Sequence, residues 1–101
     1  MRFTITWTDE AEVQLANMWF DLEPPHRSHF TRCVNEIKAD LRNNAQVKGV
    51  SLRGHEPLRV SFAEPRRGEN SVCAFFVVFE MDCLVQIHGI KILPACEVKP
   101  D

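Results

Sequence analysis

Positive charge is concentrated in one segment of a chain that is acidic as a whole. The 101 residues carry a formal net charge of −2, yet the stretch from residue 48 to residue 67 has more cations than carboxylates. Its cations are Lys48, Arg53, Arg59, Arg66 and Arg67, and its carboxylates are Glu56 and Glu64. Grouped cations of this kind attract phosphate or carboxylate ligands. These five cations are therefore a candidate nucleic-acid-binding site, and the alternative is a solvated loop with surface ion pairs.

Two histidines add groups capable of proton transfer. His55 lies inside the basic segment and His88 lies near the end of the chain. The imidazole ring titrates near neutral pH and commonly serves as a general acid or base. The alternative for both is a hydrogen-bonded structural histidine, because the spacing fixes no second catalytic residue beside either of them.

A third constellation has the spacing of metal ligands. His26, His29 and Cys33 stand at positions i, i+3 and i+7, which places them on one face of a helix. Imidazole and thiolate are ligands of zinc. Cys33 also borders an apolar stripe, however, and a free cysteine is commonly a small core residue. We therefore expect no metal site and no cofactor.

Elements that position these groups follow from the hydrophobic pattern. Alternation in FTITW predicts a first strand from about residue 2 to residue 8. A first helix follows, with Thr8 or Asp9 as N-cap and with acidic residues in its first turn. Pro24 and Pro25 end it, and Pro25 can open a second helix that runs to about Arg42. That helix has an inward stripe of Phe30, Val34, Ile37 and Leu41, and Asn43 and Asn44 can form a left-handed cap.

Three strands are predicted in the second half of the chain. LRVSF alternates Leu58, Val60 and Phe62 with Arg59 and Ser61, which predicts a strand with Arg59 directed away from the core. SVCAFFVVFEM is typical of a central strand buried on both faces. LVQIHGIKIL is the last strand, after a reversal near Asp82 and Cys83.

The order of elements defines one α+β domain over residues 1–101. We expect β-α-α-β-β-β, an antiparallel meander with the two N-terminal helices packed on one face, and a flexible tail over 94–101. The sequence has no signal peptide and no run of eighteen apolar residues, so we expect a soluble cytosolic protein without a membrane contact. The four cysteines form no C-x-x-C pair and are expected to be reduced.

Together with this order of elements, the pattern W-T-x-x-A-E-x-x-L-A-x-M-W from Trp7 to Trp19 resembles the RelE/ParE superfamily of bacterial type II toxins. The resemblance is to a divergent branch with G-x-S-x-R-G, here Gly49 to Gly54, and an R-V-x-F strand beginning at Arg59. It covers residues 2 to about 93. The resemblance implies a toxin held inactive by a cognate antitoxin. Some members cleave mRNA on the ribosome and others poison DNA gyrase.

Nuclease members imply a set of catalytic positions. The matching residues are Arg53, His55, Glu56 and Arg59 near the second strand, Arg66 and Arg67 in the following turn, and His88 and Lys91 on the last strand. Metal-independent RNA cleavage needs a base, a cation near the phosphate and an acid. The chain departs from the nucleases in having Val72, Cys73 and Ala74 where their third strand usually has an arginine, and in having no tyrosine. The alternative is therefore a catalytically inactive interaction module with the same fold.

Three aromatic residues are the candidate partner-binding residues. Trp7, Trp19 and Phe20 can shape a groove for an antitoxin segment, because such segments dock through aromatic and aliphatic anchors. Core filling is the alternative for each of them.

Overall fold

The computed structural model describes residues 1–64 and 70–93, which contain two α-helices and five strands. The strands are β1 (Thr4–Trp7), β2 (Val50–Ser51), β3 (Arg59–Phe62), β4 (Ser71–Phe79) and β5 (Leu84–Leu93). The helices α1 (Asp9–Asp21) and α2 (Pro24–Leu41) lie between β1 and β2. The predicted α+β class is confirmed, with one additional strand, β2, which is too short to leave a periodic signal.

The five strands form one mixed sheet in the order β1-β5-β4-β3-β2. Strands β2 to β5 form the predicted antiparallel meander. β1 pairs in parallel with β5, with Thr4 opposite Leu84 and Trp7 opposite Ile87. The expectation of a purely antiparallel sheet is therefore corrected: the chain returns to β1 only after two helices and three strands, and it arrives in the same direction.

Helix α2 supplies the inner layer of the core. Its predicted stripe of Phe30, Val34, Ile37 and Leu41 is buried, which confirms that prediction. The sheet residues that pack with it are Val72, Ala74, Phe76, Val85, Ile87 and Ile90. α1 packs beside α2 on the same sheet face, with Leu15 and Met18 against this core.

Two polar contacts hold α1 in place, one at its start and one in its middle. Thr8, one of the two predicted candidates, is the N-cap, and its hydroxyl accepts the N–H of Ala11 at 3.1 Å. Further along, the side-chain oxygen of Gln14 accepts the N–H of Ile90 at 2.8 Å. Ile90 lies beyond the end of β1 and just past a bulge that leaves His88 unpaired on β5. Gln14 thus replaces a missing strand neighbour and ties α1 to the edge of β5.

Candidate interaction sites

Two of the five cations of the basic segment, Lys48 and Arg59, bind to other groups of the protein. The ammonium of Lys48 lies 2.9 Å from the carboxylate of Asp40 on α2. Arg59 donates from Nε to the carbonyl of Lys48 at 2.8 Å and from Nη2 to the carbonyl of Gly49 at 3.2 Å. Arg59 therefore holds the segment before β2 against β3. The structure does not bring these two cations into a free phosphate-binding patch.

The orientation predicted for β3 is reversed. Arg59 is opposite Phe76 and Ser61 is opposite Ala74, and both partners belong to the core beneath the helices. Residues that face each other in an antiparallel pair share a side of the sheet, so Arg59 lies on the helix side. Phe62 lies on the other side and is 54% exposed. The apolar residues of β3 therefore face away from the helices, and the prediction that Arg59 points outward from the core is wrong.

Three further candidate catalytic or binding residues lie in the loop between β2 and β3. Arg53, His55 and Glu56 are all exposed. The Glu56 carboxylate accepts the N–H of Gly54 at 3.0 Å, so it caps its own turn. Arg66 and Arg67 lie outside the described residues.

The candidates on β5 lie on a different surface from Arg59. His88 and Lys91 are exposed. Lys91 is opposite Cys73, which in turn is opposite Phe62, so Lys91 lies on the sheet face away from the helices. Arg59 and Lys91 are therefore separated by the sheet. Burial raises the pKa of the Cys73 thiol, and the charge of Lys91 opposes that rise.

Histidine 29 makes polar contacts that compete with metal binding. Its Nε2 lies 3.0 Å from the carbonyl of Asn70 and its Nδ1 lies 2.9 Å from Nη2 of Arg32. A carbonyl can only accept and a guanidinium can only donate, so Nε2 carries the hydrogen and Nδ1 accepts. Cys33 is buried and its sulfur is 3.6 Å from Nε2. Among residues 1–64 and 70–93 no group of three side chains has the arrangement of a metal site.

The three aromatic candidates line one cleft between α1 and α2. Trp7, Trp19 and Phe20 form its walls together with Leu15, Ala16, Phe30 and Val34, and its volume is about 400 Å³. Phe20 is 69% exposed and Trp19 is 37% exposed, so neither is a core residue. We call this surface the aromatic cleft. The structure brings together all three residues that the sequence analysis grouped.

Arg27 is a residue of this site that sequence reasoning missed. Its guanidinium lies 4.3 Å from the centre of the Trp19 ring. It also donates to the carbonyls of Trp19 at 3.0 Å and Phe20 at 3.2 Å, at the end of α1. Arg27 thus joins the two helices and fixes one wall of the aromatic cleft. Its spacing of eight residues from Trp19, across two prolines, gives no periodic signal.

Comparison with known proteins gives matches in structure only. No protein-family model matches the chain, and no curated protein matches it significantly. Across the part of the chain that the structure describes, no helix is both long and apolar enough to cross a bilayer.

Solved structures of bacterial toxins resemble the chain over most of its length. The ParDE system from P. aeruginosa has a TM-score of 0.65 at 19% identity, covering 91% of this chain and 97% of the other. RelBE2 from Mycobacterium tuberculosis has a TM-score of 0.62 at 19% identity, with 91% and 92% covered. The isolated E. coli RelE toxin has a TM-score of 0.57 at 12% identity, with 92% and 85% covered. The chain therefore has the fold of the RelE/ParE toxin superfamily.

Proposed function

We propose that this protein is the toxin component of a type II toxin-antitoxin system and that the aromatic cleft receives its antitoxin. The observation that carries this proposal is the combination of the fold with an exposed aromatic cleft on its helix side. Among the structures of similar fold, those from M. tuberculosis and the intact E. coli RelBE are toxin-antitoxin complexes.

The cleft has the physical properties of a docking site for a protein segment. Its apolar walls stay open to solvent although burying Phe20 and Trp19 would be favourable, and exposed aromatic side chains of this kind act as binding anchors. Arg27 holds Trp19 in place before any partner arrives, so little side-chain ordering is left for binding.

A second candidate is a non-catalytic interaction module with the same fold. It is favoured by the engagement of Lys48 with Asp40 and of Arg59 with two backbone carbonyls. Cations already engaged in this way are poorly available to stabilise a phosphate. Under the toxin proposal the target is either mRNA or DNA gyrase. Within the described part of the basic segment, the exposed residues Arg53 and His55 remain open to contact it.

Inducible expression in a bacterial host separates the two candidates. A toxin arrests growth when expressed alone, and coexpression of the adjacent reading frame restores growth. Primer extension on host mRNA and a gyrase supercoiling assay then identify the target. Harmless expression of folded, soluble protein contradicts the toxin proposal and supports the interaction module.

Two variants test the surfaces separately. Phe20→Glu should keep the growth arrest but lose rescue by the adjacent frame, because a carboxylate in the aromatic cleft opposes docking. Arg53→Ala combined with His55→Ala should relieve the arrest, because both side chains are exposed in the part of the basic segment open to a target. Circular dichroism of each variant confirms that it is folded.

A further inference from the structure

A second surface adjoins the aromatic cleft where α2 ends. It is a recess of about 600 Å³ lined by Arg2, Lys38 and Arg42 together with parts of β1. Trp7 and Lys38 line both surfaces, so the recess and the cleft lie side by side. We call this surface the basic recess.

The cations of the basic recess are available for a ligand. Within residues 1–64 and 70–93, Arg2, Lys38 and Arg42 form no ion pair, in contrast to Lys48. Arg2 and Arg42 are exposed, and Lys38 is half-buried. Among the residues that the structure describes, no carboxylate lines the recess. Three cations around one concave surface favour an anionic ligand.

The backbone that carries these cations is well fixed. The N–H of Phe3 donates to the carbonyl of Arg42 at 2.8 Å, and Arg2 forms a β-bridge with Asn43. The N-terminal ammonium donates to the Asn44 side chain at 2.8 Å. Placement near the negative end of α2 stabilises Lys38 and Arg42. The dipole of α2 does not account for Arg2, which lies in the segment before β1.

We propose that the aromatic cleft and the basic recess form one continuous site for a single protein segment, with bulky apolar residues at one end and acidic residues at the other. The proposal rests on the proposed function, since it specifies the chemistry of the partner segment. Apolar side chains of the segment fill the cleft beside Trp19 and Phe20. Its carboxylates reach past Trp7 to Arg2 and Arg42.

Charge around the site favours a protein segment over a nucleic acid. Asp9, Glu10 and Glu12 lie in the first turn of α1, which follows Trp7 and the N-cap Thr8, and Glu12 lines the aromatic cleft. A uniformly charged phosphate backbone would be repelled there, whereas a peptide can place apolar or basic residues beside Glu12 and acidic residues in the basic recess.

Selection from a displayed library of random dodecapeptides tests the proposal on the full chain. We expect the selected peptides to combine Leu, Ile, Phe or Trp with a cluster of Asp and Glu. The charge-reversed variant R2E/R42E should instead select peptides with Lys and Arg beside the same apolar residues. Affinity of a synthetic selected peptide, measured by fluorescence anisotropy, should fall about tenfold in R2Q/R42Q.

The controls distinguish a specific site from net charge. Asn17→Asp adds one negative charge on an exposed part of α1 outside both surfaces, and should leave the affinity of the selected peptide within about twofold. Arg42→Gln makes the same change in net charge and should weaken binding. Thermal unfolding of each variant confirms that it is folded.

Three results would overturn the proposal: selected peptides without acidic enrichment, equal effects of N17D and R42Q, or binding of a twelve-nucleotide oligouridylate that R2Q/R42Q abolishes. The last result would assign the recess to nucleic acid. Failure of this proposal is distinguishable from failure of the proposed function. Peptide selection does not require the protein to be toxic, and growth arrest does not require a ligand in the basic recess.

Discussion

The guanidinium of Arg27 lies over the indole ring of Trp19, 4.3 Å from its centre, and the same side chain donates to the Trp19 carbonyl. One residue on α2 therefore holds both the side chain and the backbone of a residue on α1. The contact spans the junction between the helices, which contains Pro24 and Pro25. Among the described residues, no other side chain of α2 donates a hydrogen bond to α1.

Replacement of Arg27 by alanine should lower the free energy of unfolding by about 1 to 2 kcal/mol, through loss of the cation–π contact and of two charged hydrogen bonds. Arg27→Lys should recover only part of this loss, because an ammonium cannot reach both carbonyls in the same geometry. Urea unfolding followed by tryptophan fluorescence measures the effect. The control Arg53→Ala removes an exposed cation and should change stability by less than about 0.5 kcal/mol. Equal stability of Arg27→Ala and wild type would contradict the assignment.

Arg59 should also prove to be important for stability. Arg59→Ala leaves the carbonyls of Lys48 and Gly49 without their donor and should cost about 1 to 2 kcal/mol. Lys48→Ala breaks only an exposed ion pair with Asp40 and should cost less than about 1 kcal/mol. Urea unfolding compares the two. If Arg59→Ala is as stable as wild type, the structural role is contradicted and Arg59 is again a candidate for contact with a target.

Gly49 and Gly54 form a matched pair, because both have positive φ but different surroundings. A Cβ on Gly49 would stand 2.6 Å from the Val60 carbonyl oxygen and 2.9 Å from the Phe76 ring, whereas a Cβ on Gly54 meets nothing within 4 Å. Gly49→Ala should therefore cost about 3 kcal/mol or more. Gly54→Ala should cost about 1 kcal/mol, from backbone strain alone. Thermal unfolding distinguishes them, and similar melting temperatures for the two variants would contradict the packing at Gly49.

The Cys73 thiol should make stability fall at high pH. Its pKa is raised in the folded protein by burial, so the unfolded chain loses this proton first as pH rises. The free energy of unfolding therefore falls above the pKa of an unfolded thiol, about 8.5. Cys73→Ala should show a shallower fall between about pH 8 and pH 10 than wild type. Lys91→Gln should steepen it, because the charge that opposes the rise is removed. Urea unfolding at several pH values measures these slopes, and parallel slopes in all three proteins would refute the prediction.

Local hydrophobic patterns predicted the helices and strands well, but they could not predict how distant segments pack together. The stripe on α2, the Thr8 cap and the last strand, Leu84–Leu93, all follow from the sequence. The alternation in β3 indicated a strand but not its orientation, because both faces of this sheet are partly apolar and Arg59 finds backbone partners on the helix side.

The residues of the candidate site also fall into two groups, those that the sequence could group in advance and those that it could not. Trp7, Trp19 and Phe20 could be grouped in advance because aromatic side chains commonly anchor docked protein segments. Arg2, Lys38 and Arg42 could not, because they come from two distant parts of the chain and meet only through the contact of the N-terminus with the end of α2.

The parallel pairing of β1 with β5 has a consequence for biosynthesis. Thr4 pairs with Leu84, so β1 can find its strand neighbour only after about 80 further residues have been translated. At common elongation rates of about 5 to 20 residues per second, this delay is about 4 to 16 seconds. During that interval β1 lacks the strand with which it pairs in the folded sheet, so the parallel edge of the sheet forms late in synthesis.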